Sequence, residues 1–259
     1  MPNLSPQRAD VNFACVGCGK CCTGHHVPLT LGEARQWAAD GGQIVILVEA
    51  LLESSLVRPW GKELAHVVKR SQEVLSGQTQ AHVAINLAAF NPAECMHLDD
   101  DKRCRIYERR PLVCRIYPME IVPDLVMLQE EKDCPPEAWQ QSEPYLRNGL
   151  PADAELARLI VLSRQTNYEQ VSLRAAICAE LGIGTAALKG DGFTAYFPDM
   201  TRFADALDKV SSAREVVVGE WDFAASSVEI AEHLAAQGAA LTQSANSGAF
   251  QFIPVTSAT

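Results

Sequence analysis

The chain has 259 residues, 47% of them apolar and 21% charged, with a formal net charge of −10. That length accommodates one large domain or two ordinary ones, each able to bury a core without staples. The acidic balance excludes nucleic acid as a bulk electrostatic partner.

Met1-Pro2-Asn3-Leu4-Ser5-Pro6 has neither a charged n-region nor an apolar h-region, so no signal peptide is read there. The longest apolar run, Ile44 to Leu52, is broken by Glu49 and falls far short of the roughly 20 residues of a membrane span. The expectation is a soluble, cytoplasmic protein with no membrane partner. In such a reducing compartment nine cysteines point to metal binding or catalysis rather than to disulfides.

Residues 1–12 read as a loose, polar lead-in. Phe13 to Cys22 follows, with four thiols in eight residues and two glycines between them. Val27-Pro28-Leu29 is a short extended piece. Thr30-Leu31-Gly32-Glu33 has the form of a capping box and predicts a helix over Ala34–Ala39, stopped by Asp40-Gly41-Gly42. Ile44 to Leu52 is apolar without a clear period, and Pro59-Trp60-Gly61 marks a turn. Residues 63–76 carry apolar side chains at helical spacing, which predicts an amphipathic helix ending at Gly77. Val83, Ile85 and Leu87 alternate as a strand that arrives at a second cysteine group.

That group is Cys95, Cys104, Cys114 and Cys134. Asp99 to Lys102 reads as the tip of a hairpin turn. Pro111 and Pro118 end regular structure near Cys114. Ile121–Leu128 predicts a second hairpin around Pro123-Asp124, and Cys134-Pro135-Pro136 closes the region. Beyond it, 137–148, 153–182, 200–214 and 226–238 read as helices, separated by 149–151, 182–192 and 216–222. Cys178 belongs to a helix core as a small hydrophobe, and the tail from Thr242 reads as frayed. The fold class expected is α+β: a loop-rich, cysteine-lined metal-binding half over 13–136, then a mainly helical half over 137–259.

With Cys178 set aside, eight cysteines remain: Cys15, Cys18, Cys21, Cys22, Cys95, Cys104, Cys114 and Cys134. Tetrahedral zinc and iron–sulfur cubanes each take four thiolates. Cys15, Cys18 and Cys21 stand in the C-x₂-C-x₂-C spacing of bacterial ferredoxin loops, and Cys134 precedes a proline as the distal ferredoxin ligand does. Cys21 and Cys22 are adjacent, and neighbours in extended backbone point to opposite faces. The pair is therefore expected to face two neighbouring centres, or to have one ligand and one supporting thiol. Spacing does not say which cysteines share a centre.

Lys102, Arg103, Arg105, Arg109, Arg110 and Arg115 fall within fourteen residues of this acidic chain. Cations lower thiol pKa and offset the negative charge of a four-thiolate centre. The alternative is a solvated basic face paired with Asp99–Asp101 and Glu108. Arg115, beside Cys114, is the strongest functional candidate among them. His25, His26 and His97 could replace a thiolate, although the thiol set is complete without them. Asp99–Asp101 lacks the spacing of a calcium loop. There is no phosphate loop, no G-x-G-x-x-G, no G-x-S-x-G and no radical-SAM C-x₃-C-x₂-C, so no catalytic residue is named.

Taken together, Cys15-x₂-Cys18-Gly-Lys-Cys21-Cys22, Cys95-x₂-Leu98, Cys104-Arg-Ile-Tyr107-Glu-Arg-Arg110-Pro111-Leu-Val-Cys114-Arg115-Ile-Tyr117-Pro118 and Cys134 resemble the YkgJ-type cysteine-cluster family. The resemblance covers about residues 13–136. It implies chelation of zinc or iron by these eight cysteines, more often as iron–sulfur. Some relatives carry the same cluster in flagellin lysine methylases, which extends the implied chemistry to protein modification. Residues 137–259 lie outside the resemblance and are the place for any substrate specificity. Two functions follow: a [4Fe-4S]-type iron–sulfur protein in redox or methyl-transfer chemistry, with a redox partner or protein substrate, or a zinc-binding structural or interaction module without catalytic activity.

Overall fold

Among the described residues, eight α-helices and eleven strands make this an α+β protein. The computed structural model describes residues 10–52, 61–123, 125–213, 215, 218–242 and 249–255. The readings on residues 1–9, on Pro59 and Trp60, on Asp124, on 216–217 and on most of the C-terminal tail lie outside the described residues. In chain order the first elements are β1 (Val11–Asn12), β2 (Val27–Pro28), α1 (Leu31–Ala39), β3 (Ile44–Leu52), α2 (Gly61–Lys69), β4 (Ser71–Ser76), β5 (Thr79–Ala89), α3 (Leu112–Ile116) and α4 (Pro136–Trp139). Then follow β6 (Pro144–Arg147), β7 (Leu150–Pro151), α5 (Ala154–Glu169), α6 (Val171–Leu181) and β8 (Thr185–Leu188). The chain ends with β9 (Gly192–Tyr196), α7 (Met200–Ser212), β10 (Asp222–Ala224), α8 (Val228–Ala236) and β11 (Gln251–Pro254). No helix among the described residues is long and apolar enough to cross a membrane.

Contacts divide the chain into two units, each discontinuous in sequence: Met1–Val27 with Phe90–Thr166, and Pro28–Ala89 with Asn167–Thr259. The change of sequence character at residue 136 falls inside the first of them. That first unit is loop-rich, holds the eight clustered cysteines and has a small sheet in the order β1-β6-β7. Ile116, Leu156, Leu159 and Ile160 form one core cluster, and Val11, Met127 and Leu146 form another. Tyr145 packs against both, and its hydroxyl donates to the Ile116 carbonyl at 2.9 Å while accepting from the Met119 N–H at 3.1 Å. A half-buried phenol is thereby satisfied in both roles.

The second unit is built on β3, whose Ile-Val-Ile-Leu-Val-Glu-Ala-Leu-Leu run is buried along almost its whole length. A strand covered on both faces shows no alternation, which is why its period is silent in sequence. β3 pairs antiparallel with β5 from Ile44↔Ala89 to Leu52↔Ala81, antiparallel with β9, and parallel with β8, which pairs in turn with β10. The capping box predicted for α1 is present: Thr30 Oγ1 accepts from the Glu33 N–H at 3.3 Å and Glu33 Oε2 from the Thr30 N–H at 2.8 Å.

Glu49, only 4% exposed in the middle of β3, accepts from Lys189 Nζ at 2.9 and 3.0 Å and faces Arg70 Nη2 at 3.5 Å. Arg174, also 4% exposed, donates to the Ile85 carbonyl and to Gln170 Oε1. Burial brings its guanidinium down to about 10.

Four predicted elements differ from the structure. Residues 63–76 are not one helix: α2 stops at Lys69, and β4 pairs with β5 from Ser71↔Ala84 to Ser76↔Thr79. Gly77 is the first residue of the two-residue hairpin turn rather than a helix stop; at φ +57 it takes the left-handed backbone such turns need. The hairpin predicted over Ile121–Leu128 is absent among the described residues, because Ile121 and Met127 are anchored in separate clusters instead of alternating on one face. The helix predicted over 137–148 ends at Trp139, and Pro144 opens β6 on β1. The second half is only partly helical: α5 to α8 are there, but the separator 182–192 contains β8, and β9, β10 and β11 complete the sheet of the second unit. Ala186, Ala187 and Ala195 are fully buried there, too small to announce a strand by hydrophobic pattern.

Candidate metal centre

The N-terminal cysteine loop does not run extended. Gly19 sits at φ +72, and Lys20–Cys22 forms a single 3-10 turn. The Cys21 and Cys22 sulfurs therefore lie 3.9 Å apart, on the same side. This corrects the expectation that the pair diverges, which holds only for extended backbone. Gly19 also allows close approach to the second cysteine group: a Cβ there would stand 3.0 Å from Lys102 Cβ and 3.4 Å from the Lys102 carbonyl.

Backbone hydrogen bonds join the two groups. The Cys95 N–H donates to the Cys22 carbonyl at 2.7 Å, and Thr23 bridges Glu94. Cys95 and Cys104 are held on one hairpin by the Leu98↔Cys104 bridge. Its tip is the predicted turn, closed by the Asp99 N–H to the Arg103 carbonyl at 2.9 Å and by the Arg103 N–H to Asp99 Oδ1 at 2.7 Å. The Arg105 N–H reaches the His97 carbonyl at 2.8 Å. Cys114 lies in α3, which starts directly after Pro111.

Cys134 is approached from the other end of the N-terminal loop. The Phe13 N–H donates to the Glu143 carbonyl and the Ala14 N–H to the Ala138 carbonyl, while the Phe13 ring packs 4.8 Å from that of Trp139. Trp139 Nε1 in turn donates to the Cys134 carbonyl at 3.3 Å. Cys18 and Cys134 line a common open cleft of about 600 Å³ with Lys20, His25, Lys132 and Asp133. Seven of the eight clustered thiols are half-buried and Cys15 is exposed; Cys178 is fully buried in α6 of the other unit, as core packing predicts.

The thiols feel one another. The Cys21 and Cys22 thiols share a hydrogen bond in which either sulfur can be the donor; with Cys22 donating, it brings Cys21 down to about 7 from an ordinary 9.0, with Arg110 assisting. Cys22 is pushed up by that same bond, by burial and by the nearby Cys21, Cys95 and Cys114. Burial, with neighbouring thiols, raises Cys95 and takes Cys114 to about 12. Cys134 rises to about 11 through burial, against a hydrogen bond from Tyr117.

The cation that acts on this group is Arg110, which lowers both Cys21 and Cys114. It is fixed by stacking on Tyr107, 3.7 Å from the ring centroid, and by an Nε donation to the Tyr107 carbonyl at 2.9 Å. Arg115, favoured by its position next to Cys114, instead pairs with Glu155 at 3.1 Å. Of the remaining basic cluster, Lys102 pairs with Glu94 at 2.5 Å and Arg105 donates to the Met96 and Leu98 carbonyls. His25 pairs with Asp133 at 3.1 Å, and His26 accepts from the Asn91 N–H at 3.2 Å through Nδ1.

Among the described residues, no group of three or more His, Cys, Asp or Glu side chains is drawn together closely enough to hold a metal ion as it stands. The fit is one of donor chemistry: soft thiols on neighbouring segments, with a guanidinium beside them, suit zinc or iron rather than a hard cation.

Residues 14–138 match the CxxCxxCC family, described as a putative zinc- or iron-chelating domain. The match covers the stretch over which the cysteine pattern resembles the YkgJ-type family, as that pattern leads one to expect. No curated protein and no solved structure matches the chain.

Proposed function

We propose that this cysteine-cluster protein binds iron in iron–sulfur chemistry of the [4Fe-4S] type, which takes four thiolates per centre, and that it draws those ligands from Cys15, Cys18, Cys21, Cys22, Cys95, Cys104, Cys114 and Cys134. The observation that carries the reading is the joining of the two cysteine groups in one unit by the Cys22 carbonyl and Cys95 N–H. The ferredoxin-like spacing of Cys15, Cys18 and Cys21 and the Cys134-Pro135 step favour iron over zinc. Bound in such a set, an iron–sulfur centre supplies one-electron transfer. Arg110 offsets part of the negative charge that four thiolates accumulate, and its stack on Tyr107 keeps the guanidinium there.

The reaction this serves is redox transfer or protein modification by methyl transfer, with a redox partner or a protein substrate, in a reducing cytoplasm that keeps the thiols free. Anaerobic purification tests the reading. A brown protein with broad absorbance at about 400 nm and matching iron and sulfide supports it. A colourless protein that holds only zinc after reconstitution with iron and sulfide sinks it, and leaves the zinc-binding structural module in its place.

A further inference from the structure

Cys21 and Cys22 have a chemistry of their own before any metal is bound. The left-handed backbone at Gly19 opens the 3-10 turn Lys20–Cys22, and the turn leaves the two sulfurs 3.9 Å apart. Among the described residues, no third His, Cys, Asp or Glu side chain joins them closely enough to hold an ion. The bond from the Cys95 N–H to the Cys22 carbonyl ties that segment by backbone rather than by sulfur. Both thiols are half-buried rather than sealed, which leaves them within reach of a small oxidant.

A disulfide bond is about 2.05 Å long, so these sulfurs need to close by about 2 Å. Because the residues are adjacent, closure draws no distant segment together. Adjacency also strains the product. Consecutive Cα atoms stand about 3.8 Å apart, below the roughly 4.4–6.8 Å that disulfides span. A strained, accessible disulfide is readily reduced, which is the behaviour of regulatory disulfides rather than structural ones.

We infer that Cys21 and Cys22 are an oxidation site for hydrogen peroxide, which closes them as a reversible vicinal disulfide and withdraws two of the eight clustered thiols from metal. One sulfur attacks a peroxide oxygen; the O–O bond breaks, a sulfenic acid forms, and the other oxygen leaves as water with the thiol proton. The second thiol attacks the sulfenic sulfur, the S–O bond breaks, and that oxygen leaves as water with the second proton. Two thiols give up two electrons, and the peroxide takes them. A disulfide sulfur has no thiolate to offer a metal, so closure opposes loading. This last step alone rests on the metal-binding reading above.

Trypsin isolates the pair for the test. Cleavage after Lys20 and Arg35 releases Cys21 and Cys22 on one peptide that carries no other cysteine. Metal-free full chain, reduced, exposed to one equivalent of hydrogen peroxide and then alkylated, should give this peptide as its main oxidised product. It should be unalkylated and lighter by two hydrogens, and a phosphine reductant should restore alkylation at both positions. A main product that links this peptide to the one bearing Cys95, Cys104, Cys114 or Cys134 overturns the inference. So does oxidation that stops at sulfenic or sulfinic acid on either residue.

The oxidised chain, freed of peroxide and offered zinc or iron with sulfide, should lose most of the metal uptake of the reduced chain and regain it on reduction. Uptake that the disulfide leaves unchanged overturns its effect on loading. A reduced chain that takes up neither metal overturns the metal-binding reading, while the disulfide is still decided by peptide mass on metal-free protein.

Discussion

Cys21 and Cys22 meet sulfur to sulfur at 3.9 Å because the turn beneath them is 3-10 and opens on a left-handed glycine. The shared hydrogen bond favours one thiolate in the pair, and with Cys22 as its donor that thiolate is Cys21, at about 7. In metal-free protein Cys21 should therefore alkylate at neutral pH faster than Cys22, Cys95, Cys114 and Cys134, whose thiols are raised. A lowered thiol pKa means that thiolate is present above it and lost below it, so the Cys21 rate should rise through about pH 7 and level off beyond. Cys22→Ala removes the donor and should move that rise toward the ordinary 9.0. Peptide-resolved iodoacetamide rates across pH 5–10 check it, and an unmoved profile would show that the Cys22 bond is not the cause.

Gly19 and Gly17 separate two costs that a glycine can carry. Both have positive φ, +72 and +66, but only Gly19 has something in front of its missing Cβ. Gly17→Ala should cost about 1 kcal/mol, for backbone conformation alone. Gly19→Ala should cost about 2 kcal/mol or more, since Lys102 must also give way. It should weaken metal retention too, because the contact it spoils brings the Cys15–Cys22 loop against the Asp99–Lys102 turn. Urea denaturation and metal loss to a chelator measure the two effects; equal costs for both variants would mean that the approach to Lys102 is not tight.

Arg110→Gln and Arg115→Gln are the matching test for the basic cluster. Arg110 acts on Cys21 and Cys114, so its loss should raise the pH at which Cys21 alkylates and weaken metal binding. Arg115 gives up an exposed, solvent-screened pair with Glu155 and should leave both readouts unchanged. The reverse result would restore the expectation drawn from sequence adjacency.

That exchange of one arginine for another shows where sequence stops being legible. The eight thiols, the capping box at Thr30 and the Asp99–Lys102 turn are local features, fixed by residues within a few positions of each other, and they can be read directly. Arg110 reaches the thiols by folding back on Tyr107, which depends on a cation–π stack rather than on adjacency to a cysteine. β3 hides because a strand covered on both faces has no period, and β4 hides because α2 leads straight into it. β8 and β9 hide for a third reason: Ala186, Ala187 and Ala195 are core residues only because the sheet of the second unit encloses them. The conformation of Cys21 and Cys22 turns on a single φ angle at Gly19, which no residue pattern states.

In the second unit the Glu49 carboxylate is the balancing charge for Lys189 and Arg70 within the sheet. Glu49→Ala should destabilise this unit by about 3 kcal/mol, because two partly buried cations lose their partner. Glu49→Gln keeps the shape and one acceptor and should cost less. Neither should change the metal bound per chain, since every clustered cysteine lies in the other unit. Thermal unfolding of the metal-free and loaded protein, with metal content measured alongside, distinguishes a structural charge cluster from one that supports the site.

Cys178 provides the internal control for the cysteines. It is fully buried on α6, within the second unit, and burial alone raises its thiol above the ordinary range. Such a group serves as a small apolar side chain and not as a ligand. Cys178→Ser should cost about 1–3 kcal/mol, the penalty for placing a hydroxyl where a thiol packed. It should leave metal content and visible spectrum intact, whereas Cys114→Ser should lower the metal content. Equal metal loss in the two variants would mean that the separation of eight ligands from one core cysteine is wrong, because a purely structural effect of Cys178→Ser shows in the unfolding curve and not in the stoichiometry of the folded protein.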